Sequence, residues 1–325
     1  MQSTVLTDTG LNVSRVCLGT MTFGSQVEEA EAARMVDYAL DQGVTFLDTA
    51  NVYNGGVSEQ ITGRVLGVRR SRIVLATKVR GQMGGSDGSG YGGLSPAAIR
   101  HAAEESLRRL GTDYIDIYYL HQPDGAVPIA DSLEAMDGLR REGKIRWIAS
   151  SNYAAWQIAE MFAISSERGF LAPLVAQPMY NVLARGIEQE YLAFTEHFGV
   201  SNVCYNPLAG GLLSGKQSFE KGPLPGTRFD GNAMYLRRFW HEEYFRAVEM
   251  LRAAAEGLSI SLAELALRWV CHRPGVDSVI LGASKFDHLE QNMRAMRNAA
   301  LPEETLAVCD AAWQALRGTT PNYNR

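Results

Sequence analysis

The sequence predicts an α/β fold: a (β/α)8 TIM barrel with an N-terminal β-hairpin and long loops after the third and seventh barrel strands, forming one domain over residues 1–325. Three observations predict it. Short apolar runs begin at Val16, Thr45, Ile73, Ile115, Ile145, Leu174, Ser201 and Ser278, and most are followed by a segment of helical periodicity. Their start-to-start intervals are 29, 28, 42, 30, 29, 27 and 77 residues, a repeat near one strand plus one helix with two long exceptions. The runs, VCLG, IVLAT and IDIYYL among them, are nearly continuous in apolar residues, as in strands covered on both faces. Eight strands alternating with helices close as a barrel. A doubly wound sheet is the alternative, but it usually carries a GxGxxG turn after its first strand, and VCLGTMTFG has none.

Taken in order, Val5-Leu6 and Leu11–Val13 flank Asp8-Thr9-Gly10, a hairpin signal placed as a plug in the barrel bottom. Helices are expected over Glu28–Gln42, Ser58–Leu66, Pro96–Leu110, Ile129–Glu142, Ala154–Arg168, Glu188–Phe198, Glu242–Glu256 and Ser261–His272. Ser95 is a natural N-cap, with Pro96 at the first helical position, and Gly143 ends its helix as a C′ residue. The 42-residue interval contains Gly81–Gly93, seven glycines in thirteen residues, expected to be a mobile loop with Tyr91 as its anchor over substrate. The 77-residue interval contains the Gly- and Pro-rich segment Leu208–Tyr235. Barrel sites are built from loops that follow strands, so both long loops are ligand territory.

Composition narrows the function. The chain is 46% hydrophobic and 21% charged, which argues against global disorder. Net charge is −5, which does not suggest a nucleic-acid partner. No apolar run approaches the ~20 residues of a membrane helix, and MQSTVLTDTG has no secretory pattern. Cys17, Cys204, Cys271 and Cys309 are far apart, with no metal-site or redox spacing. They read as reduced thiols of a cytoplasmic protein. Nothing in the composition sets an oligomeric state.

Four polar residues lie at or just beyond successive strand ends: Asp48, Tyr53, Lys78 and His121. In a closed barrel they converge at the C-terminal mouth. A tyrosine beside an ammonium has its phenolate favoured, a carboxylate compensates the buried ammonium, and a neutral histidine can orient a carbonyl oxygen. Singly, each has a structural reading as surface charge, loop cap, packing or core histidine. In this order on consecutive strands they form a chemical constellation.

The segments FLDTANVYNGGVSEQITGRVL, IVLATKV, LRRLGTDYIDIYYLHQPD, IASSNY, LVAQPMYNVLAR, YNPLAGGLLSGK and LGASKFDHLEQN resemble the aldo-keto reductase superfamily, in order over nearly the whole chain. Their spacing is closer to the bacterial branch that includes the potassium-channel β subunits than to the mammalian aldose reductases. The resemblance implies an NADP-dependent oxidoreductase, with NAD as the other option, and a tetrad formed by Asp48, Tyr53, Lys78 and His121. It implies that Ser151, Asn152 and Gln177 hold the nicotinamide carboxamide and Tyr205 stacks on the ring. Pro207–Lys216, including Leu208, Gly210, Leu212 and Lys216, resembles the loop over the pyrophosphate, with backbone N–H groups free to cradle it. Gly282, Ala283, Ser284 and Lys285 precede an expected helix near Asp287, an anion site by helix-terminus logic. Lys216, Arg228 and Lys285 are candidates for the adenosine 2′-phosphate. In the last motif Asn292 is kept, whereas His288 and Gln291 replace the family's usual Gln and Glu; Ala149 replaces a Gly.

Three functions follow as alternatives. One is interconversion of aldehydes or ketones, sugar-like or xenobiotic, with alcohols, with Tyr53 as general acid/base. A second is a cofactor-sensing module like the channel β subunits. A third, a carboxylate hydrolase using Asp48 and Asp124, fits poorly because Asp124 lies in a Pro-containing loop. Phe23, Tyr91, Tyr153, Phe239 and Trp240 are candidate walls of a pocket for a small-molecule carbonyl or alcohol.

Overall fold

The computed structural model describes residues 1–84 and 90–319. Strands β1 (Ser3–Val5) and β2 (Asn12–Ser14) form an antiparallel hairpin. The remaining strands are β3 (Val16–Gly19), β4 (Phe46–Asp48), β5 (Val74–Val79), β6 (Ile115–Leu120), β7 (Ile145–Ser151), β8 (Val175–Gln177), β9 (Ser201–Cys204) and β10 (Ser278–Leu281). They close in the order β10-β3-β4-β5-β6-β7-β8-β9, with every neighbouring pair parallel. This is the (β/α)8 barrel the sequence predicts.

Side chains alternate along each strand. Cys17, Phe46, Ala76, Ile117, Tyr119, Ala149, Val175 and Val203 fill the barrel interior, and Leu6 and Val13 of the hairpin complete that cluster. Their alternates, including Leu18, Leu47, Leu75, Tyr118 and Ile148, pack outward in the layer shared with the helices. The hairpin sits where strands begin: Thr7 N–H donates to Ser201 Oγ at 2.8 Å, and Ser14 N–H to Thr45 Oγ1 at 3.0 Å. It therefore plugs the end opposite the loops that follow the strands.

The outer helices are α1 (Glu29–Asp41), α2 (Val57–Leu66), α3 (Pro96–Leu110), α4 (Ile129–Arg141), α5 (Ala155–Arg168) and α6 (Tyr191–Phe198). Ser95 caps α3 by accepting from Ala98 N–H, and Gly143 follows α4 at φ +76°. Helices α2 and α3 approach so closely that a Cβ on Gly63 would lie 2.4 Å from the Leu110 carbonyl oxygen. The long segment after β9 contains α7 (Ala233–Phe239), α8 (Glu242–Gly257) and α9 (Leu262–Cys271); α10 (Phe286–Ala295) and α11 (Glu303–Arg317) end the fold. Nothing in the eight-unit repeat predicts α7 or α11, because both lie outside the strand–helix alternation. No described helix is long and apolar enough to cross a membrane.

Candidate active site

The mouth is assembled from residues at strand ends. Lys78 is 0% and Asp48 2% exposed. Lys78 Nζ donates to Asp48 Oδ1, to the Thr49 carbonyl at 2.7 Å and to Tyr53 Oη at 3.4 Å. Tyr53 follows β4 at the start of a tight turn, Tyr53–Gly56, in which Asn54 and Gly55 take φ +51° and +64°, and its ring lies over Lys78, with Nζ 5.0 Å from the ring centroid. His121, just past β6, presents its ring edge-on to Tyr53, with centroids 6.1 Å apart. The structure thus brings the four residues together.

Electrostatics divides their roles. Burial opposes the Lys78 charge, but Asp48 and the Tyr53 hydroxyl outweigh it, so the ammonium is held above its ordinary range. Burial also pushes the Tyr53 phenol up, and Lys78 reverses only part of that shift. This corrects the expectation of a phenol drawn down by its ammonium: desolvation wins. Burial, then the charges of Lys78 and Arg80, pull His121 down to about 3, so its imidazole is neutral at neutral pH.

Beside this group lies a second network. Gln177 Nε2 donates to Asp48 Oδ2 at 2.9 Å, and Ser151 Oγ donates to the Gln177 carbonyl at 2.9 Å. Asn152 sits at φ +63°, its amide donating to the His121 carbonyl at 2.8 Å and accepting from Tyr205 Oη at 2.7 Å. These residues frame one wall of the mouth and lock directly onto the tetrad. Arg238, on α7, acts on the Tyr205 hydroxyl, a contact the motifs did not reveal.

Other expected cofactor residues are distributed less simply. After Pro207 and Leu208 the chain enters a 3-10 turn, Ala209–Ser214, with Gly210 at φ +70°. A Cβ on Gly210 would meet the Tyr235 ring at 2.6 Å. The expected backbone cradle is partly closed, because Gly210 N–H donates to Asn206 Oδ1 at 2.6 Å and Gly211 N–H to the Leu208 carbonyl at 2.8 Å. Leu212 is buried in the core. The helix after Gly282–Lys285 begins at Phe286, and Phe286 N–H already donates to Glu31 Oε1 at 3.2 Å, so one N–H of this terminus is taken within the chain. Lys216 and Lys285 do converge, since both charges bear on His288 and, after burial, draw it down. Arg228 lies beside Gly282, where an added Cβ would meet its Nη2 at 4.0 Å; its Nη1 donates to Tyr235 Oη at 3.2 Å, and its charge reaches Tyr53. Ser284 is half-buried, Gln291 exposed and Asn292 half-buried on and before α10.

The aromatic pocket candidates separate. Tyr153 is buried, and its hydroxyl donates to the Gln122 carbonyl at 3.4 Å, beside His121. Phe23 is 1% exposed within the outer core cluster. Phe239 is buried against Tyr244, and Trp240 packs on Phe229 and Phe245. Tyr91 is placed elsewhere than expected. Its ring stands edge-on to His101 at 4.4 Å, and its hydroxyl accepts from Arg109 Nη1 at 3.4 Å. Arg109 pairs with buried Glu59, which accepts from Thr77 Oγ1 at 2.6 Å. Thr77 points to the helix layer because Lys78, next to it on β5, points inward. Tyr91 therefore anchors the glycine-rich segment to α3. The tip of that segment, residues 85–89, and with it the expected mobility, lies outside the described residues.

The residues present fit a nicotinamide dinucleotide at the mouth: a fixed amide at Asn152, a ring at Tyr205, and two converging cations at Lys216 and Lys285. Among the described residues no group of three or more His, Cys, Asp or Glu could hold a metal ion.

Comparison with known proteins gives a consistent picture. A family model described as "Aldo/keto reductase family" matches residues 15–314. Human aflatoxin B1 aldehyde reductase member 2 is 37% identical, the alignment covering 95% of this chain and 89% of that protein. A probable voltage-gated potassium channel subunit beta of Arabidopsis thaliana is 35% identical, covering 98% of this chain and 97% of that one. The solved holo form of aldo-keto reductase AKR11C1 from Bacillus halodurans superposes with a TM-score of 0.80 at 31% identity, covering 97% of both chains.

Proposed function

The chain belongs to the aldo/keto reductase family, and from that premise we propose that it reduces aldehydes and ketones with NADPH, and runs the reverse alcohol oxidation, using Tyr53 as general acid and base. The family membership makes it an oxidoreductase that uses a nicotinamide cofactor. The observation that carries the finer reading is Lys78, fully buried and in contact with both Asp48 and Tyr53.

A nicotinamide cofactor, when bound, supplies the hydride to the carbonyl carbon. The chain's own residues manage the proton. Burial keeps Tyr53 protonated at neutral pH, so its hydroxyl can give a proton to the nascent alkoxide. The phenolate left behind faces the Lys78 ammonium, which stabilises it more than it stabilises the neutral phenol. Asp48 compensates the buried ammonium, and Gln177 completes the hydrogen bonds of that carboxylate. Neutral His121 can donate one hydrogen bond to the carbonyl oxygen without supplying a charge. Ser151, Asn152, Gln177 and Tyr205 would hold the nicotinamide end, and Lys216 with Lys285 the 2′-phosphate, with Arg228 nearer the ring. His288, Gln291 and Asn292 would lie along the adenosine. A single barrel domain, residues 1–325, in the cytoplasm completes the proposal. The interlocked tetrad weighs against a module that only senses cofactor.

The test is oxidation of NADPH and NADH in the presence of aromatic and aliphatic aldehydes, ketones and keto-sugars, with the reverse reaction on alcohols. Turnover that disappears in Tyr53→Phe supports the proposal. Equal turnover by Tyr53→Phe removes Tyr53 from the acid role.

A further inference from the structure

We propose that Arg80 is a specificity-determining residue that recognises an anionic group of the substrate, so that the carbonyl compounds best suited to this site carry a carboxylate or a phosphate. The inference rests on the reductase reading and names the substrate class of the same site.

Arg80 leaves β5 immediately after Val79, two residues beyond Lys78, and so stands at the mouth. Its φ is +136°, a conformation side-chain-bearing residues rarely adopt, and such strain concentrates at functional sites. Its carbonyl is held by Gly93 N–H at 3.0 Å. The side chain is half-buried. In the orientation that satisfies its neighbours, the Gln122 side-chain oxygen accepts from Arg80 Nε at 3.3 Å and from Nη1. Gln122 follows His121, and its carbonyl accepts from Tyr153. The guanidinium therefore lies between the ends of β5 and β6 and the turn that carries Tyr153. Its charge reaches both the His121 and Tyr153 rings.

A guanidinium has five donors. Among the described residues only the Gln122 side-chain oxygen takes donors from this one, and no carboxylate is within ion-pair distance. Arg70 meets Asp116, Arg109 meets Glu59, and Arg185 meets Glu188 and Asp310; Arg228, half-buried on the cofactor side of the mouth, donates instead to the Tyr235 hydroxyl. Asp124 also acts on the Tyr153 hydroxyl, but its oxygens accept from Leu94 N–H at 2.9 Å and Ala126 N–H at 3.1 Å. The cations assigned to cofactor lie across the mouth, beyond β9 and β10. Among the described residues, then, Arg80 is a planar cation with donors to spare beside the proposed carbonyl-orienting histidine, a geometry suited to bidentate capture of a carboxylate or phosphate.

The experiment compares 4-carboxybenzaldehyde with methyl 4-formylbenzoate, and glyceraldehyde 3-phosphate with glyceraldehyde, using NADPH and wild type, Arg80→Gln and Arg80→Lys. The expected result is a charged-over-neutral preference of about tenfold or more in kcat/KM, carried by KM, in at least one pair. Arg80→Gln should reduce that ratio about tenfold, and Arg80→Lys should keep part of it. The pair that responds distinguishes carboxylate from phosphate. A ratio that Arg80→Gln leaves within about twofold overturns the inference. If no aldehyde is turned over, the reductase reading fails, and calorimetry then decides on Arg80. 4-(Hydroxymethyl)benzoate binding the NADP-loaded wild type more tightly than its methyl ester, with the difference lost in Arg80→Gln, upholds it; equal affinities overturn it.

Discussion

The role proposed for Tyr53 rests on a contest between burial and one ammonium. Burial keeps the hydroxyl protonated, and Lys78 waits to stabilise the anion it becomes. Tyr53→Phe should therefore lower kcat by about 10²–10⁴, the usual worth of a positioned acid. The dissociation constant for NADPH, measured by fluorescence titration, should be little changed, because the proposed nicotinamide contacts come from other residues. His121 adds a pH dependence. The folded protein holds its pKa near 3 against an ordinary 6.5, so below 6.5 the unfolded chain binds the proton first. The stability it contributes is complete above that pH and is lost as pH falls from 6.5 toward 3. His121→Gln should flatten this part of the curve of unfolding free energy against pH, and an unchanged slope would mean the ring is better solvated than its burial indicates.

At the scale of elements, close approach decides what a position tolerates. Gly63 carries α2 against the end of α3, where an added Cβ would lie 2.4 Å from the Leu110 carbonyl oxygen. Gly63→Ala gains about 1 kcal/mol in helix propensity. It must also force the helices apart, and overpacking costs about 1–3 kcal/mol. The expected outcome is a net loss, read as a lower urea midpoint at unchanged slope. The glycine-rich segment after β5 is tethered in the same helix layer, through Tyr91, Arg109, Glu59 and Thr77. Tyr91→Ala should thus act first on stability and only indirectly on substrate binding.

Across the whole molecule, the two barrel ends have separate tasks. The hairpin fills one end with Leu6 and Val13, both 0% exposed. Leu6→Ala should cost about 2–5 kcal/mol while leaving cofactor affinity at the far mouth intact. The mouth gathers cations within a chain of net charge −5. Lys216 and Lys285 both act on His288, so the ratio of NADH to NADPH dissociation constants should exceed one and decline with salt. Lys216→Ala should reduce it further. Equal affinities in the wild type would place those cations against solvent or another partner.

Sequence alone determined the barrel, because strands buried on both faces write themselves as apolar runs at a near-constant interval, and each of the eight predicted runs became a strand. It also implied that Asp48, Tyr53, Lys78 and His121 come together, since strand ends in a closed parallel barrel must meet at one mouth. It held no signal for α11, which packs outside the repeat, or for the side-chain direction of Tyr91, which depends on what α3 presents to it. Only the tertiary structure decided the sign of the Tyr53 shift, because desolvation and a neighbouring charge oppose each other and their balance depends on depth. Among the described residues, only the tertiary structure distinguished Arg80 from the arginines paired with carboxylates, such as Arg70 and Arg109. A charge is visible in a sequence, but the carboxylate that answers it, or fails to, comes from a distant part of the chain.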